Sequence, residues 1–211
     1  MSHCLSRTLI VLFLVVSSGC AGKDPYFFQT ERDLLRDYEP RIAPQIVRAG
    51  IEIPAGTNAK WEVDKLSGNL RWEFKEGRPR VVQYLPYPVN YGMVPRTNLS
   101  KDFGGDGDPL DIVVLGEALG RGEVVPVKII GVMWMIDRGE KDHKMVAVPL
   151  QGLFSEIQSI EELDEKYPGV TAILETWFSH YKGEGLTQIQ GFGTVEEAET
   201  VLRQSLQAFQ K

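Results

Sequence analysis

The chain places its strand-like segments before its helical segments, and this order most constrains the fold. Between residues 51 and 150, short stretches either alternate in polarity or are rich in β-branched residues, and Gly, Asn, Asp and Pro separate them. These stretches are "IEIPA", "AKWEVDK", "NLRWEFK", "RVVQYL", "LDIVVL", "VVPVKIIGVMWMID" and "KMVAVPL". The order predicts an α+β, mainly β fold, in which a closed or nearly closed antiparallel barrel is flanked by C-terminal helices.

Helical patterns are confined to the last third of the chain. Ser159 and Glu162 match a capping box ahead of a helical pattern that continues through "VTAILETWFSHYK". A second box, Thr194 with Glu197, predicts the start of a last helix. The apolar residues of that helix share one face: Val195, Ala198, Leu202, Leu206 and Phe209.

Residues 1–19 have the pattern of an export signal. Arg7 precedes an apolar core from Leu9 to Val16, which is shorter than the ~20 residues of an ordinary transmembrane helix. The following "SSGC" is similar to a bacterial lipobox, although Ser17 stands where Leu is usual. We expect cleavage after residue 19 and lipidation of Cys20, with a plain cleaved signal or an uncleaved anchor as alternatives.

These features predict an exported protein at the cell envelope, anchored in a membrane through Cys20. Ala21 follows the cysteine in place of the Asp that often retains lipoproteins at the inner membrane, which favours the outer membrane. Residues 20–46 are polar and lack a sustained period, so they are predicted to be a tether with a short helix at residues 30–38, ahead of a catalytic domain at residues 47–211. A net charge of −6 without a basic stripe argues against nucleic-acid binding.

An acidic cluster, "DGDPLD" at residues 106–111, leads directly into an apolar strand. Because Gly107 and Pro109 favour a turn, we expect Asp106, Asp108 and Asp111 to converge at one strand mouth. Three close carboxylates repel one another unless a cation lies between them. Hard oxygen ligands in this number suit Mg²⁺ or Mn²⁺.

Two other interpretations of this cluster compete with a metal site. A calcium-binding EF-hand loop would run from Asp106 to Glu117, but Leu110 occupies a ligand position and Asp111 replaces the required Gly. A solvated acidic turn is the commoner fate of a charge run, and the cluster alone does not exclude it.

A second charged stretch, "DRGEKDHK" at residues 137–144, falls in a predicted hairpin. It carries Asp137, Asp142 and Lys144; in isolation it would be interpreted as a charged surface turn. His143 and His180 are predicted to be structural, because neither has a second histidine at metal-ligand spacing.

Four blocks in order, "YPVNYG" at 87–92, "DGDPLD", "DRGEKDHK" and "HYK" at 180–182, resemble the family I soluble inorganic pyrophosphatases. The resemblance extends upstream to "IEIPAG", "KWE" and "DKLSGNL" and covers roughly residues 47–185. It implies an OB-like five-stranded barrel with packed helices. It also implies a homo-oligomer, often a hexamer in bacteria.

The resemblance assigns roles to individual residues. Asp106, Asp111 and Asp142 would bind two activating Mg²⁺ ions, Asp137 and Glu52 would help to hold metals that arrive with the substrate, and Asp108 would be the general base. The residues that would grip pyrophosphate are Lys60, Arg80, Tyr91, Lys144, Tyr181 and Lys182, with Glu62 and Tyr87 in support.

Three departures from the family pattern affect these assignments. The segment between Glu62 and Tyr87 is a few residues longer than in compact bacterial members, so Arg78 is an alternative to Arg80. We favour Arg80 because a strand is predicted to continue through the two valines that follow it. Trp61 replaces the usual Tyr, and "GEGLTQIQGFG", which follows residue 182, lacks a lysine that many members have there.

The predicted function is hydrolysis of inorganic pyrophosphate to two phosphates by direct in-line attack of a metal-activated water. Pyrophosphate repels an approaching hydroxide, and metals with Lys and Arg offset that repulsion. Two alternatives remain: a broader phosphoanhydride hydrolase acting on polyphosphate or nucleotides, and a non-catalytic lipoprotein that binds metals or anions. The presence of Asp108 argues against the latter, because simple binding needs no base.

Overall fold

The computed structural model describes residues 24–210. The strands are β1 Phe27–Phe28, β2 Arg41–Ala43, β3 Ile46–Ile53, β4 Trp61–Val63, β5 Leu70–Trp72, β6 Phe74–Lys75, β7 Arg78–Pro79, β8 Asn90–Met93, β9 Asp111–Val114, β10 Val124–Asp137, β11 Glu140–Lys141, β12 Lys144–Pro149 and β13 Thr187–Gly193. The helices are α1 Ile160–Lys166, α2 Val170–His180 and α3 Val195–Phe209, and a single 3₁₀ turn spans Lys101–Phe103.

Five of these strands close a barrel. β3 pairs with β8, β8 with β9, β9 with β12, β12 with β10, and β10 returns to β3. All of these pairings are antiparallel except that of β9 with β12, which is parallel. The prediction of a five-stranded, OB-like barrel in a mainly β fold is confirmed.

The long strand β10 links the barrel to the rest of the sheet. Its 14 residues match a predicted strand segment, and its N-terminal half pairs with β3 while its C-terminal half pairs with β13. Buried Val, Ile and Met side chains along it enter both apolar clusters of the core. At the β3–β8 crossing, a Cβ on Gly92 would lie 1.9 Å from the Gly50 carbonyl oxygen, so only glycine fits there.

Local capping signals place the helices. The Thr194–Glu197 capping box forms as predicted and begins α3. Ser159 caps α1 through the Glu162 amide, but the Glu162 carboxylate accepts from the Gln158 N–H, so that box forms only in part. The helical pattern divides into α1 and α2 because Pro168 and Gly169 interrupt it. No helix described between residues 24 and 210 is long and apolar enough to span a membrane.

The prediction of a free tether is wrong for residues 24–46, and no helix forms at residues 30–38. β1 pairs with β5, β2 pairs with β3, and Leu34 and Leu35 are buried in the core. The Asp33 carboxylate accepts the amides of Leu35 and Arg36, while the Leu34 amide donates to the Gly68 carbonyl. Side-chain and long-range hydrogen bonds therefore hold this segment, in which the bond from the Asp37 amide to the Asp33 carbonyl closes an isolated turn. Residues 1–19, Cys20 and Ala21 lie outside the described residues.

One predicted strand does not form, and two strands of the structure were not predicted. "RVVQYL" forms no strand, since residue 81 makes only an isolated bridge to Ala59. β8 and β13 were not predicted, because both contain glycines and lack a β-branched run. The omission of β8 matters most, because this strand completes the barrel.

Candidate active site

One cleft, of about 750 Å³, opens at the barrel end where β9 and β12 begin and β10 ends. Apart from the candidate lipidation site Cys20, fourteen site residues were predicted, and twelve of them line this cleft. They are Glu52, Lys60, Glu62, Arg80, Tyr91, Asp106, Asp108, Asp111, Asp137, Asp142, Tyr181 and Lys182. The two that do not line it, Tyr87 and Lys144, are fully buried beneath it.

The turn before β9 positions the first acidic cluster. Gly107 adopts φ +83°, which a residue with a side chain rarely accepts, and the Asp108 amide donates to Asp106 Oδ1 at 2.8 Å. The Asp108 carbonyl accepts from the Leu99 amide at 2.7 Å, so the backbone is held. The Asp108 carboxylate itself remains exposed to the cleft.

At the barrel wall, Lys144 lies between two carboxylates. Its Nζ donates to Asp111 Oδ2 at 2.6 Å and to Asp142 Oδ1 at 2.8 Å. The parallel register of β9 and β12, which sets Lys144 opposite Asp111, produces this contact. Burial opposes the charge on Lys144, but the two carboxylates outweigh it and hold the pKa of the ammonium well above its ordinary value.

The two aspartates respond differently to this shared lysine. Burial raises the pKa of Asp111, even though Lys144 opposes the shift. Burial acts on Asp142 in the same direction, but Lys144 and Lys182 together outweigh it and lower the pKa of Asp142. The pKa values of the two aspartates therefore shift in opposite directions, although both share the same lysine.

The β10–β11 hairpin positions the second acidic cluster. Arg138 and Gly139 both have positive φ, as a two-residue type I′ turn requires, so the predicted hairpin is confirmed. Lys182 Nζ donates to Asp137 Oδ2 at 2.6 Å and lies 3.7 Å from Asp142 Oδ2. The other carboxylate oxygen of Asp137, Oδ1, is buried without a hydrogen-bond partner among residues 24–210.

The pKa values of three further carboxyl groups are raised by their surroundings. Burial raises the pKa of Glu52 to about 8, although the Val63 amide donates to its Oε1 at 2.7 Å. Burial, with the neighbouring carboxylates, raises the pKa of Asp106 to about 6. Burial also raises the pKa of Glu62. At Glu52 and Glu62 the positive charge of Lys60 opposes the shift but does not outweigh burial.

Aromatic rings support one side of the cleft. The Tyr91 hydroxyl donates to Asp111, and the ammonium of Lys60 lies 5.2 Å from the Tyr91 ring centroid. Tyr87 is packed between Tyr91 and Trp177, with centroids 5.5 and 4.4 Å away, which agrees with a supporting place. Burial raises the pKa of Tyr87 and of Tyr181, so both phenols remain neutral at ordinary pH.

The structure places Arg80, and not Arg78, in the cleft. Arg80 Nη1 contacts both carboxylate oxygens of Glu73, at 2.6 and 2.9 Å, whereas Arg78 lies exposed in β7. Sequence reasoning favoured Arg80 on the expectation of a following strand, which does not form. The hairpin of β6 and β7 instead places Arg80 there, and its amide donates to the Glu73 carbonyl.

Several cleft residues were not singled out from the sequence. Lys65 forms a salt bridge with Asp108 and donates to the Gly107 carbonyl at 3.3 Å. Its segment, "DKLSGNL", was recognised, but no pattern indicated that the β4–β5 turn reaches the "DGDPLD" turn. The others are Asp64, Arg71, Glu73, Lys75 and Arg138.

The donor chemistry of the cleft fits hard divalent cations. Carboxylates from five chain segments face one space, and Asp137 Oδ1 has no partner among the described residues. No three Asp, Glu, His or Cys side chains between residues 24 and 210 are grouped so that they could hold an ion as they stand. Instead, lysine ammonium groups form salt bridges with the carboxylates of Asp108, Asp111, Asp137 and Asp142.

A barrel mouth that interleaves carboxylates with ammonium, guanidinium and phenol groups suits hydrolysis of a small polyanion, so the fold and cleft together define a hydrolase of that class. Comparison with known proteins is more specific. The profile of the inorganic pyrophosphatase family matches residues 49–210. The chain belongs to this family, whose members are inorganic diphosphatases, and membership implies a general dependence on divalent metal ions.

Individual relatives agree with this assignment. An inorganic pyrophosphatase of Xanthomonas campestris is 34% identical over 172 residues, which cover 79% of this chain and 90% of that protein. One from Dictyostelium discoideum is 35% identical over 166 residues, covering 72% of this chain and 59% of that longer protein. The solved pyrophosphatase of Schistosoma japonicum superposes with a TM-score of 0.77 and 26% identity, covering 88% of this chain and 72% of that one.

Proposed function

We propose that the protein hydrolyses inorganic pyrophosphate to two phosphates by direct attack of water. The observation that carries this proposal is the single cleft in which carboxylates alternate with Lys, Arg and Tyr side chains. The lining residues described include no Ser, Cys or His, which supports attack by water without one of these nucleophiles. Metal ions, when bound, would lower the pKa of water and offset the charge of the substrate.

Each group has a distinct part in this proposal. Asp106, Asp111, Asp142, Asp137 and Glu52 would hold the metal ions, Mg²⁺ or alternatively Mn²⁺. Asp108 would accept the proton of the attacking water, since its carboxylate is the most exposed of the Asp side chains whose salt bridges are formed in the cleft.

The cationic side of the cleft would hold the substrate. Lys60, Arg80 and Lys182 would bind phosphate oxygens, and Tyr91 and Tyr181 would donate phenolic hydrogen bonds. Lys144 is also predicted to grip pyrophosphate, and its full burial adds a second part that we propose for it. Its contribution would be to fix the orientations of Asp111 and Asp142.

Phosphate release by the chain without residues 1–19, carrying Cys20→Ser, tests the activity. We expect Mg²⁺-dependent release from pyrophosphate and little from tripolyphosphate or ATP. Equal cleavage of all three would favour the broader phosphoanhydride hydrolase, and no release from the folded, metal-binding protein would favour the binding lipoprotein.

Asp111→Asn tests the assignment of a metal ligand. Loss of one negative charge should raise the Mg²⁺ concentration needed for half-maximal activity, while the hydrogen bond from Tyr91 can persist. Isothermal titration of Mg²⁺ should show the same weakening without substrate. An unchanged metal titration would remove Asp111 from the ligand set.

We further propose that the protein acts at the cell envelope, lipid-anchored through Cys20 and preferentially in the outer membrane. The export-like residues 1–19 motivate this location. The anchored enzyme would meet extracellular pyrophosphate and supply phosphate for uptake. Fractionation of a C-terminally tagged protein tests the location, and a cytosolic product that retains residues 1–19 would reject it.

We also propose a homo-oligomer. Family membership supports it, and so do the exposed apolar side chains of Leu85 and Ile173, which lie beside and on α2. Light scattering of the purified protein would detect the assembly, and a monomer at micromolar concentration would contradict it.

A further inference from the structure

Aromatic side chains extend past the edge of the core where β1 joins the small sheet. In this sheet, Leu70 and Trp72 face the core, and β1 pairs with β5 so that Phe28 lies opposite Leu70. The Trp72 amide donates to the Tyr26 carbonyl, which continues the pairing one residue beyond β1. Tyr26 and Phe28 therefore extend the core-facing row to the sheet edge.

The barrel leaves this row partly uncovered. Tyr26 is 38% exposed, Phe28 39% and Phe74 48%. The rings of Tyr26 and Phe74 meet edge to face with centroids 4.9 Å apart, so the β6–β7 hairpin continues the row. We call these three residues the aromatic edge. Lys75 and Arg78 are paired and exposed on the same hairpin but lie on its other face, where Lys75 lines the cleft.

The aromatic edge lies where the chain from the candidate lipidation site enters the fold. Asp24, the first described residue, contacts the Tyr26 amide through its carboxylate. Three residues separate Cys20 from Asp24, and even a fully extended connection between the two spans at most ~14 Å. A lipid attached to Cys20 would therefore hold this surface close to the bilayer.

We infer that the aromatic edge contacts the surface of a lipid bilayer. Tyrosine suits the interfacial region of a bilayer, and the phenylalanine rings can be buried at its acyl boundary. A lipid chain and a second contact together anchor a protein more firmly than one chain alone. This inference rests on the proposed envelope location. Because Glu73 and Arg80 flank the same hairpin, the contact would set one rim of the cleft beside the headgroups.

Sedimentation with vesicles tests the contact without the lipid anchor. The protein lacking residues 1–19 and carrying Cys20→Ser should co-sediment with vesicles of phosphatidylcholine. Phe74→Ser should lower the partition coefficient about tenfold, since it removes one aromatic side chain from the contact. Leu153→Ser, a control at a position 70% exposed, should leave it unchanged. Equal losses in the two variants, or no binding, would overturn the inference.

Fluorescence locates the contact. Phe74→Trp should add an emission component that shifts to shorter wavelength when vesicles are added, whereas Leu153→Trp should not. Light scattering identifies the competing occupant, a second copy of the chain: Phe74→Ser would then dissociate an oligomer while vesicle binding stayed unchanged, and the inference would fail. Pyrophosphate hydrolysis without vesicles should be unaffected by Phe74→Ser, so a failed bilayer contact and a failed activity give different results.

Discussion

Two lysine–aspartate pairings in the cleft differ in their surroundings. The inner wall comprises Lys144, Asp111 and Asp142, whose side chains are 0%, 17% and 9% exposed. The outer rim comprises Lys65 and Asp108, which are 60% and 54% exposed. The inner wall is fixed by strand register, whereas the outer rim joins two turns. A buried pairing can hold a geometry, and an exposed one can exchange partners, which a general base requires.

The largest expected effect comes from removing the shared charge of the inner wall. Lys144→Met would leave Asp111 and Asp142 close together and without their common partner. We expect the free energy of unfolding to fall by ~3–5 kcal/mol, because buried charges lose their compensation. Urea denaturation measures this loss. A variant as stable as the wild type would show that the wall is not held by the ammonium.

At the outer rim, we expect a substitution to reduce activity strongly and stability little. Asp108→Asn removes the proposed base at an exposed position, so turnover should fall by at least ~10². The urea midpoint should change little, because the backbone contacts of the turn remain. Wild-type turnover in this variant would exclude Asp108 as the base, and a large loss of stability would contradict the contrast between the two regions.

A third test uses pH to examine burial on the inner side. Burial sets the pKa of Glu52 at about 8, compared with an ordinary value of 4.5, so the folded state binds more protons between these values. Ionisation of Glu52 therefore costs stability as pH rises through this window. In EDTA, the advantage in stability of Glu52→Gln over wild type should grow by up to ~1.4 kcal/mol per pH unit and then level above pH ~8.

Thermal or urea unfolding across this pH range measures the effect. Gln retains an oxygen that can accept the Val63 amide, so the comparison isolates the charge. Saturating Mg²⁺ should reduce the advantage, because a bound cation favours the ionised carboxylate. A difference in stability that is independent of pH would mean that Glu52 titrates normally.

The smallest expected effect is at Lys65. Lys65→Gln removes an exposed ion pair, which contributes at most ~1 kcal/mol and is weakened by salt. Lys166→Gln is a matched control, since Lys166 also forms an exposed pair, with Glu162 at 2.5 Å. The two variants should unfold at similar urea concentrations. A loss comparable to that in Lys144→Met would show that the outer rim is as rigid as the inner wall.

Local patterns predicted the parts of the molecule that depend on nearby residues. The Thr194 capping box, the β10 strand and the Arg138–Gly139 hairpin follow from composition within a few positions. The acidic clusters and the ordered blocks led to the family and the fold. The roles of the site residues remain predictions, although the cleft brings most of them together.

Long-range contacts explain what the sequence did not reveal. Leu34 is buried, and its amide donates to the Gly68 carbonyl. No hydrophobic periodicity in the sequence indicates this contact. The approach of Lys65 to Asp108 joins two turns that are 43 residues apart. The burial of Lys144 depends on closure of the barrel. Its charge alone would predict an exposed side chain.

The parallel pairing of β9 with β12 has a consequence for folding. Lys144 lies opposite Asp111, 33 residues earlier, and the intervening chain includes all of β10. A short turn cannot connect two parallel strands, so this pairing requires that the crossover between them has already formed. Contacts of such long sequence separation form slowly. During refolding, catalytic activity should therefore appear only as the barrel closes. The rate at which activity recovers would measure the rate of that last step.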